Sequence, residues 1–409
     1  MSPGGLVRGV AKSVFWASGA TIVATYVAFP VGLLVRGAIL RRPVRCAAIE
    51  PSVSIIIAAR NEARDIGRRL ENLAALDYPP DHLEVVVASD GSEDGTASIV
   101  AKWSDRGVQL LDLARVGKAD ALNAAVAASS GEILVFSDAN SEFAPDAVRA
   151  LVRRFADPEV GGVAGDQRYE AAPTGDAIAE GERGYWDLDR MLKIAESRAG
   201  NVVSATGAIY AIRRELFRSV ATGVTDDFVT SVAVVAQHRR LVFARDAVAY
   251  EPPARSGGDE FGRKVRIMTR GLRGTILMRE LLDPRRHGFY AVQLAWHKIF
   301  RRLTVVPLVG LLISSPLLVG QGWTYRLATL AQWTIYGLGL SGLALRGRPI
   351  GRNRLLSFPA FFCLVNLAAL KALWNIVTGR RIDRWEPQRA AALTDPTGGD
   401  ADAVNEPTR

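Results

Sequence analysis

Cysteine is almost missing from this chain: only Cys46 and Cys363 occur in 409 residues, and they lie far apart. That scarcity excludes a disulfide framework, and two cysteines so far apart suggest neither a zinc site nor a catalytic thiol. The water-soluble part of the chain lacks the dinucleotide fingerprint G-x-G-x-x-G, which disfavours a nicotinamide or flavin domain. The phosphate loop G-x-x-x-x-G-K-[ST] is missing as well. No nucleic-acid-binding motif occurs, although the net charge is +9. Its arginines gather beside apolar stretches, which suits anionic lipid headgroups better than nucleic acid.

Charge is itself missing over long stretches. Val14 to Val35 carries none, and that length suffices to cross a bilayer. Leu303 to Tyr325 and Leu327 to Leu345 are also uncharged, and Leu355 to Val377 contains only Lys371. The expected layout is an N-terminal membrane anchor helix over 1–40 and C-terminal transmembrane helices over 303–378, about three in number. No small-x-small cleavage site ends the first run, so a retained anchor is expected instead of a signal peptide. A water-soluble domain is expected over 51–280, an interfacial segment over 281–302 and a disordered tail over 390–409.

Arg36, Arg41, Arg42 and Arg45 follow the first run, and Arg301 and Arg302 precede the second. The positive-inside rule then puts the soluble block in the cytoplasm of a multi-pass plasma-membrane protein. With four full crossings, Arg380, Arg381 and Arg384 would lie outside. Either the last segment is interfacial or re-entrant, or one span is miscounted.

What the soluble block does contain is an alternation. Val53–Ala59, Glu84–Ala88, Val108–Leu113 and Ile133–Phe136 are short apolar runs, separated by helical patterns such as Ile66–Leu76 and Gly117–Ala128. That order argues for an α/β fold with a parallel sheet and right-handed crossovers. Further on, Val160–Ala164 reads as a strand, Ala177–Ala195 as an amphipathic helix and Val202–Arg213 as a small-residue turn entering a strand. Thr225 opens a helix to about Gln237. Arg263–Met278 is cationic and amphipathic without an apolar stripe deep enough for a core, so it is expected along the membrane surface.

The strand at Ile133 stops at Ser137-Asp138-Ala139-Asn140. A carboxylate at the carboxyl edge of an open α/β sheet stands where such sheets bind ligands. There it can hold a divalent cation and, through it, a diphosphate; the bland alternative is a helix cap. Asp90, ending the second strand, can accept from a base N–H or ribose hydroxyls. Lys118 adds positive charge near the phosphates. Asp226 and Asp227 open a helix, where the macrodipole favours ionised carboxylates, and one of them can deprotonate an acceptor hydroxyl. Singly, Asp90-Gly91 and Asp94-Gly95 also read as turns.

Five segments, taken in order, resemble the successive motifs of family 2 glycosyltransferases. They are Ala58–Glu62, Ser89–Thr96, Gly117–Asn123, Ser137–Asn140 and Thr225–Asp227. The resemblance covers roughly Pro51 to Gly274 and implies a GT-A fold with flanking transmembrane helices. The family includes membrane-bound synthases of cellulose, hyaluronan and poly-N-acetylglucosamine. By that likeness Asp90 contacts the nucleobase, while Ala59 and Glu62 lie at the nucleotide-binding end of the first strand. Asp138 resembles the first aspartate of the D-x-D metal motif, with Asn140 in the place of the second. Asp227 matches the catalytic base, and Asp226 stands where the family has glutamate. Thr206–Tyr210, with Gly207 and Tyr210, resembles the acceptor-lining segment. Of the processive motif Q-x-x-R-W only Arg266 is kept, in the stretch from Arg263 to Ile267, and the tryptophan is absent.

The resemblance thus implies an inverting hexosyl- or N-acetylhexosaminyltransferase with a nucleotide-diphosphate sugar donor and Mg2+ or Mn2+. Its acceptor would be lipid-linked or a glycan, in surface polysaccharide or glycolipid synthesis. The alternative is a catalytically weak nucleotide-binding scaffold subunit of a membrane glycan-export complex.

Overall fold

The structure is a computed structural model that describes residues 3–169, 177–251, 260–345, 348, 353–380 and 382. The chain opens with helix α1 (Pro3–Val23), a wide π-type turn (Ala24–Ala28) and helix α2 (Phe29–Ile39). The expected runs then form strands β1 (Val53–Ala59), β2 (Leu83–Asp90), β3 (Val108–Leu113) and β4 (Ile133–Phe136). Helices α3 (Ile66–Ala74), α4 (Thr96–Ala101) and α5 (Lys118–Ala128) alternate with them.

All seven residues of β1 are buried, as a run of Val and Ile covered on both faces requires. Successive side chains point to opposite faces. Ile55 and Ile57 join a core with Leu70 and Leu151, while Ile56 joins another with Leu122 and Val232. Full burial of each such side chain contributes roughly 1.5–3 kcal/mol.

The unbroken parallel arrangement is β3-β2-β1-β4. The sheet continues through β5 (Glu142–Phe143), β6 (Val160–Tyr169), β7 (Tyr210–Arg213) and β8 (Arg240–Glu251). The order of its eight strands is β3-β2-β1-β4-β7-β6-β8-β5. β6 and β8 form a separate parallel pair, and β7 runs antiparallel to both β4 and β6, which makes the sheet mixed. β6 extends past the expected Ala164, and β8 has no counterpart in the sequence reading. Polar residues at Asp166–Arg168 and at Arg245-Asp246 hide both from an apolar-run criterion, and a register shift between Gly165 and Asp166 breaks the pattern further.

Between these strands lie α6 (Ala147–Val152), α7 (Ala177–Ala199) and α8 (Asp226–Ala236). The N-terminal helix is docked on the domain through α2 and α7. A Cβ on Gly37 would stand 2.6 Å from the Ala195 Cα, so only glycine lets the two backbones approach this closely. Arg36 seals the contact by donating to the Ala199 carbonyl at 3.2 Å.

Helix α9 (Glu260–Leu277) corrects one expectation. Val265, Thr269, Leu272 and Thr275 are buried, at spacings that share one helix face. Against that face lies the helix Arg354–Val377, where Ala368 and Ala372 are also buried. The stripe escapes a hydrophobic count because threonines alternate with its two apolar residues, Val265 and Leu272, and small alanines face it from the neighbouring helix.

The membrane layout also differs from the expected four crossings. Gly5–Ile39 and Arg354–Val377 are long and apolar enough to cross a membrane. Phe289–Leu303 and Val305–Leu317 meet at 43° and add a third only if that bent pair is one broken span. Leu303–Tyr325 is not one helix: it breaks at Leu318 before a second helix starts at Trp323. The helix Trp323–Ala344 lacks the apolarity of a span because Gln332, Thr334 and three glycines dilute it. The last helix ends beside α9, where Arg273 and Arg270 donate to the carbonyls of Arg380 and Ile382. Gly274, next to Arg273, packs on Phe228 of α8. Arg380 is therefore held on the same side of the molecule as the sheet. The expected tail, 390–409, lies outside the described residues.

Candidate active site

The five motifs meet at the carboxyl edge of β1, β2 and β4. The first two lock together: Asn61 takes a positive φ of 50°, and its side chain accepts from the Glu93 N–H at 2.8 Å. The backbone N–H groups of Glu62 and Ala63 donate to Thr96 Oγ1 and Asp94 Oδ2, both at 2.9 Å. Asp94 is thus a clamp between two loops as well as a turn residue. Burial alone would raise its pKa, but hydrogen bonds from Thr96 and Ala63 bring it below the ordinary value. Ala59 is fully buried at the end of β1, paired with Ser89.

Asp90 is fully buried. Its Oδ1 accepts from the N–H groups of Val116 and Gly117 at 2.6 and 2.9 Å, which fixes the entry to α5. Its Oδ2 is buried with no partner among the described residues, as are the hydroxyls of Thr206 and Thr225. Unpartnered buried polar atoms are uncommon in native folds, and each calls for an explanation.

Lys118 is the centre of the site. Its Nζ lies 3.0 Å from Asp138 Oδ1 and 3.1 Å from Asp226 Oδ2. One ammonium therefore joins the third and fourth motifs to the fifth. Burial works to lower its pKa, but Asp138 and Asp226 outweigh that and hold it well above the usual lysine value. Asn123, one turn further on α5, exchanges two hydrogen bonds with the Val220 backbone, tying α5 to the chain that leads into α8.

Asp227 stands next in line at the first turn of α8 and accepts from the Phe228 N–H at 2.8 Å. Burial, then the neighbouring Asp226, pushes its pKa up to about 6, while Lys118 and Lys298 pull the other way. A carboxyl poised near 6 is suited to general-base work at neutral pH. Lys298 belongs to the basic segment His297–Arg302, which the sequence offers equally as juxtamembrane charge and as a group near the site. It arrives from beyond the domain, with Nζ 4.8 Å from the Phe228 ring centroid and donating to Ser204 Oγ at 2.9 Å.

One further residue, Arg69, lay beyond sequence reasoning. Arg69 of α3 is 1% exposed, stacks on Phe143 and donates to Ser137 Oγ at 2.9 Å. Ser137 Oγ in turn donates to the Ala208 carbonyl at 2.9 Å. This buried chain pins the Asp138 loop to the Gly207 segment. A Cβ on Gly207 would lie 2.9 Å from Asp138 Oδ2. Gly207→Ala is therefore expected to displace the carboxylate and lower turnover about 10–100-fold with an unchanged melting temperature. Nucleoside diphosphate release and thermal unfolding check it together.

Not all the expected acceptor residues line this edge. Tyr210 is 1% exposed and stacked on Phe136 with centroids 4.8 Å apart. It supports the site from within the core, and its alternating position in β7 explains why. Arg263 and Arg266 lie roughly two to three turns before Gly274, the point at which α9 meets Phe228. They run alongside the Arg354–Val377 helix, where the intervening Lys264 lies over Phe361.

Among the described residues no cluster of three or more His, Cys, Asp or Glu side chains is set to hold a metal. Asp138 gives one oxygen to Lys118, leaving its second oxygen and the Asn140 amide as the donor set. That set fits a hard cation which takes most of its six or more oxygen ligands from a bound diphosphate and water.

A mixed sheet with loop carboxylates at its edge defines a GT-A-type fold. It is shared with the mannosyltransferase PcManGT from Pyrobaculum calidifontis, whose structure was solved with GDP-Man and Mn2+. That likeness has a TM-score of 0.67 at 24% identity and covers 92% of this chain and 100% of that one. Residues 54–221 match the family described as Glycosyl transferase family 2, and this part of the chain is a domain of that family. A beta-monoglucosyldiacylglycerol synthase from Synechocystis sp. is 35% identical over 27% of this chain and 24% of its own length. An N-acetylglucosaminyltransferase from Rhizobium leguminosarum bv. viciae is 27% identical over 88% of this chain and 86% of its own. The chain thus spans about a quarter to a third of the first curated relatives it matches. All these relatives carry the names of enzymes, which leaves the scaffold alternative without support.

Proposed function

We propose that the protein is an inverting glycosyltransferase, acting at the cytoplasmic face of the plasma membrane. It moves a hexosyl or N-acetylhexosaminyl unit from a nucleotide-diphosphate donor to a lipid-linked or glycan acceptor. The observation that carries this reading is the single ammonium of Lys118 held between Asp138 and Asp226, with Asp227 adjacent. It sets the diphosphate end and the acceptor end of one reaction side by side. Asp227 removes a proton from the acceptor hydroxyl as its oxygen attacks the anomeric carbon. The bond to the diphosphate breaks in the same displacement, so an α-linked donor gives a β-linked product. Asp90, with its unpartnered oxygen, receives N–H or O–H groups of the nucleoside. A cation carried by the donor and held by Asp138 and Asn140 supplies charge neutralisation on the leaving diphosphate.

The test is a donor screen on detergent-purified full chain, following release of nucleoside diphosphate, with mass spectrometry of the product. Release from none of the donors across a broad acceptor panel would sink the reading. A second measurement probes the metal: Mn2+ should bind the donor-free protein weakly and gain about tenfold or more in affinity with nucleoside diphosphate present. Tight donor-free binding that depends on Asp138 would overturn the single-carboxylate account.

A further inference from the structure

Two wide π-type turns, rare in any protein, face one another where the N-terminal helix meets the domain. One is Ala24–Ala28, the other Ala295–Phe300. Phe29, just after the first, stacks on Trp296 of the second with ring centroids 4.8 Å apart. Beside this stack is a recess lined by Tyr26, Phe29, Leu192 and Trp296, with Asp189 and Arg301 at its polar side. The recess opens within a helix long and apolar enough to cross a membrane. Trp296 Nε1 is buried there with no hydrogen-bond partner among the described residues. A buried indole N–H without an acceptor marks a place where a ligand oxygen is due.

The recess and the candidate active site share one element: Trp296, which lines the recess, and Lys298, which lies over the Phe228 ring, both belong to the turn Ala295–Phe300. Asp189 is ion-paired with Lys193 at 3.0 Å. Lys298 donates to Ser204 Oγ and lies over the ring of Phe228, the neighbour of Asp227, and the charges of Asp227 and Asp189 both favour its ammonium. The recess thus offers an apolar wall, an unpartnered donor and a charged rim at Asp189 and Arg301, the kinds of group a lipid presents from chain to hydroxyl.

We propose that this recess seats the acceptor as a lipid. Its apolar chain lies against Tyr26, Phe29 and Leu192, and an oxygen at the root of that chain accepts from Trp296 Nε1–H. Its hydroxyl headgroup reaches past Asp189 and Lys298 to Asp227. The proposal rests on the reading of Asp227 as the acceptor-side base, and it selects the lipid acceptor over a free glycan.

The experiment is photo-crosslinking of the full chain in detergent, without donor, to a diacylglycerol carrying a diazirine in one acyl chain. Crosslinks should map to peptides containing Tyr26, Leu192 or Trp296. Unlabelled diacylglycerol should compete, and phosphatidylcholine should not. Trp296→Phe, which keeps the aromatic stack, should weaken labelling about threefold to tenfold, the worth of one hydrogen bond. Leu192→Trp, which fills the recess, should remove it. Labelling as strong on the exposed Leu327, Leu330 and Trp333, or equal competition by phosphatidylcholine, would overturn the site in favour of annular lipid. Because no donor is present, these outcomes are independent of turnover. An active Asp227→Asn variant would instead defeat the base assignment and leave the crosslink map standing.

Discussion

Asp227→Asn is expected to lower release of nucleoside diphosphate about 10²–10⁴-fold, the usual contribution of a general base. Asparagine keeps the size of the side chain and can still accept from the Phe228 N–H, but it cannot take up the acceptor proton. Donor affinity, read from competition by nucleoside diphosphate, should stay close to wild type because Asp90 and the Asp94 clamp are untouched. The wild-type pH profile carries the same assignment. Asp227 is raised to about 6 by burial and by Asp226, and the base works only when deprotonated. Turnover should therefore be full above pH 7 and fall as pH drops through about 6. An Asn variant with equal turnover, or an acid limb left in place in that variant, would remove Asp227 from the mechanism.

Lys118→Met is expected to have a comparable effect by a different route. Methionine fills similar space but leaves Asp138 and Asp226 facing one another without the ammonium that now lies 3.0 and 3.1 Å from them. Turnover should fall at least about 10²-fold as the constellation loses its geometry. Losing a positive charge also disfavours the ionised form of Asp227, so the acid limb of the residual activity should move to higher pH. Removing the ammonium frees both carboxylates for a divalent cation, so donor-free Mn2+ binding should tighten by calorimetric titration. A purely structural lysine would lower the melting temperature and leave both the pH limb and the metal affinity unchanged.

Much of this was legible along the chain. The strands β1, β2 and β4 announce themselves because a strand covered on both faces must be apolar, whereas β3, at the sheet edge, shows a shorter apolar run between Gln109 and Asp112. Asp90, Lys118, Asp138 and the Asp226-Asp227 pair lie within a residue or two of strand or helix ends, where local pattern is strongest. Strands β6 and β8 were not fully legible, since Asp166 is buried through ion pairs with Arg168 and Arg190 and not by being apolar. The stripe of α9 was missed for a related reason: threonine makes close helix contacts without hydrophobic weight. The expected span at Leu327–Leu345 is less apolar than the two flanking helices, because absence of charge is a weaker condition than apolarity.

The sequence by itself determined which residues are proposed to bear the chemistry, because covalent neighbours place a carboxylate at the end of an apolar strand or at the head of a helix. Only the tertiary structure decided that Lys118 joins Asp138 to Asp226 across three motifs, that Arg69 pins the loop between them, and that Lys298 enters from the membrane flank. Each of these is a contact between side chains distant along the chain. Its geometry is set by how sheet and helices pack, and no local period in the sequence encodes that distance.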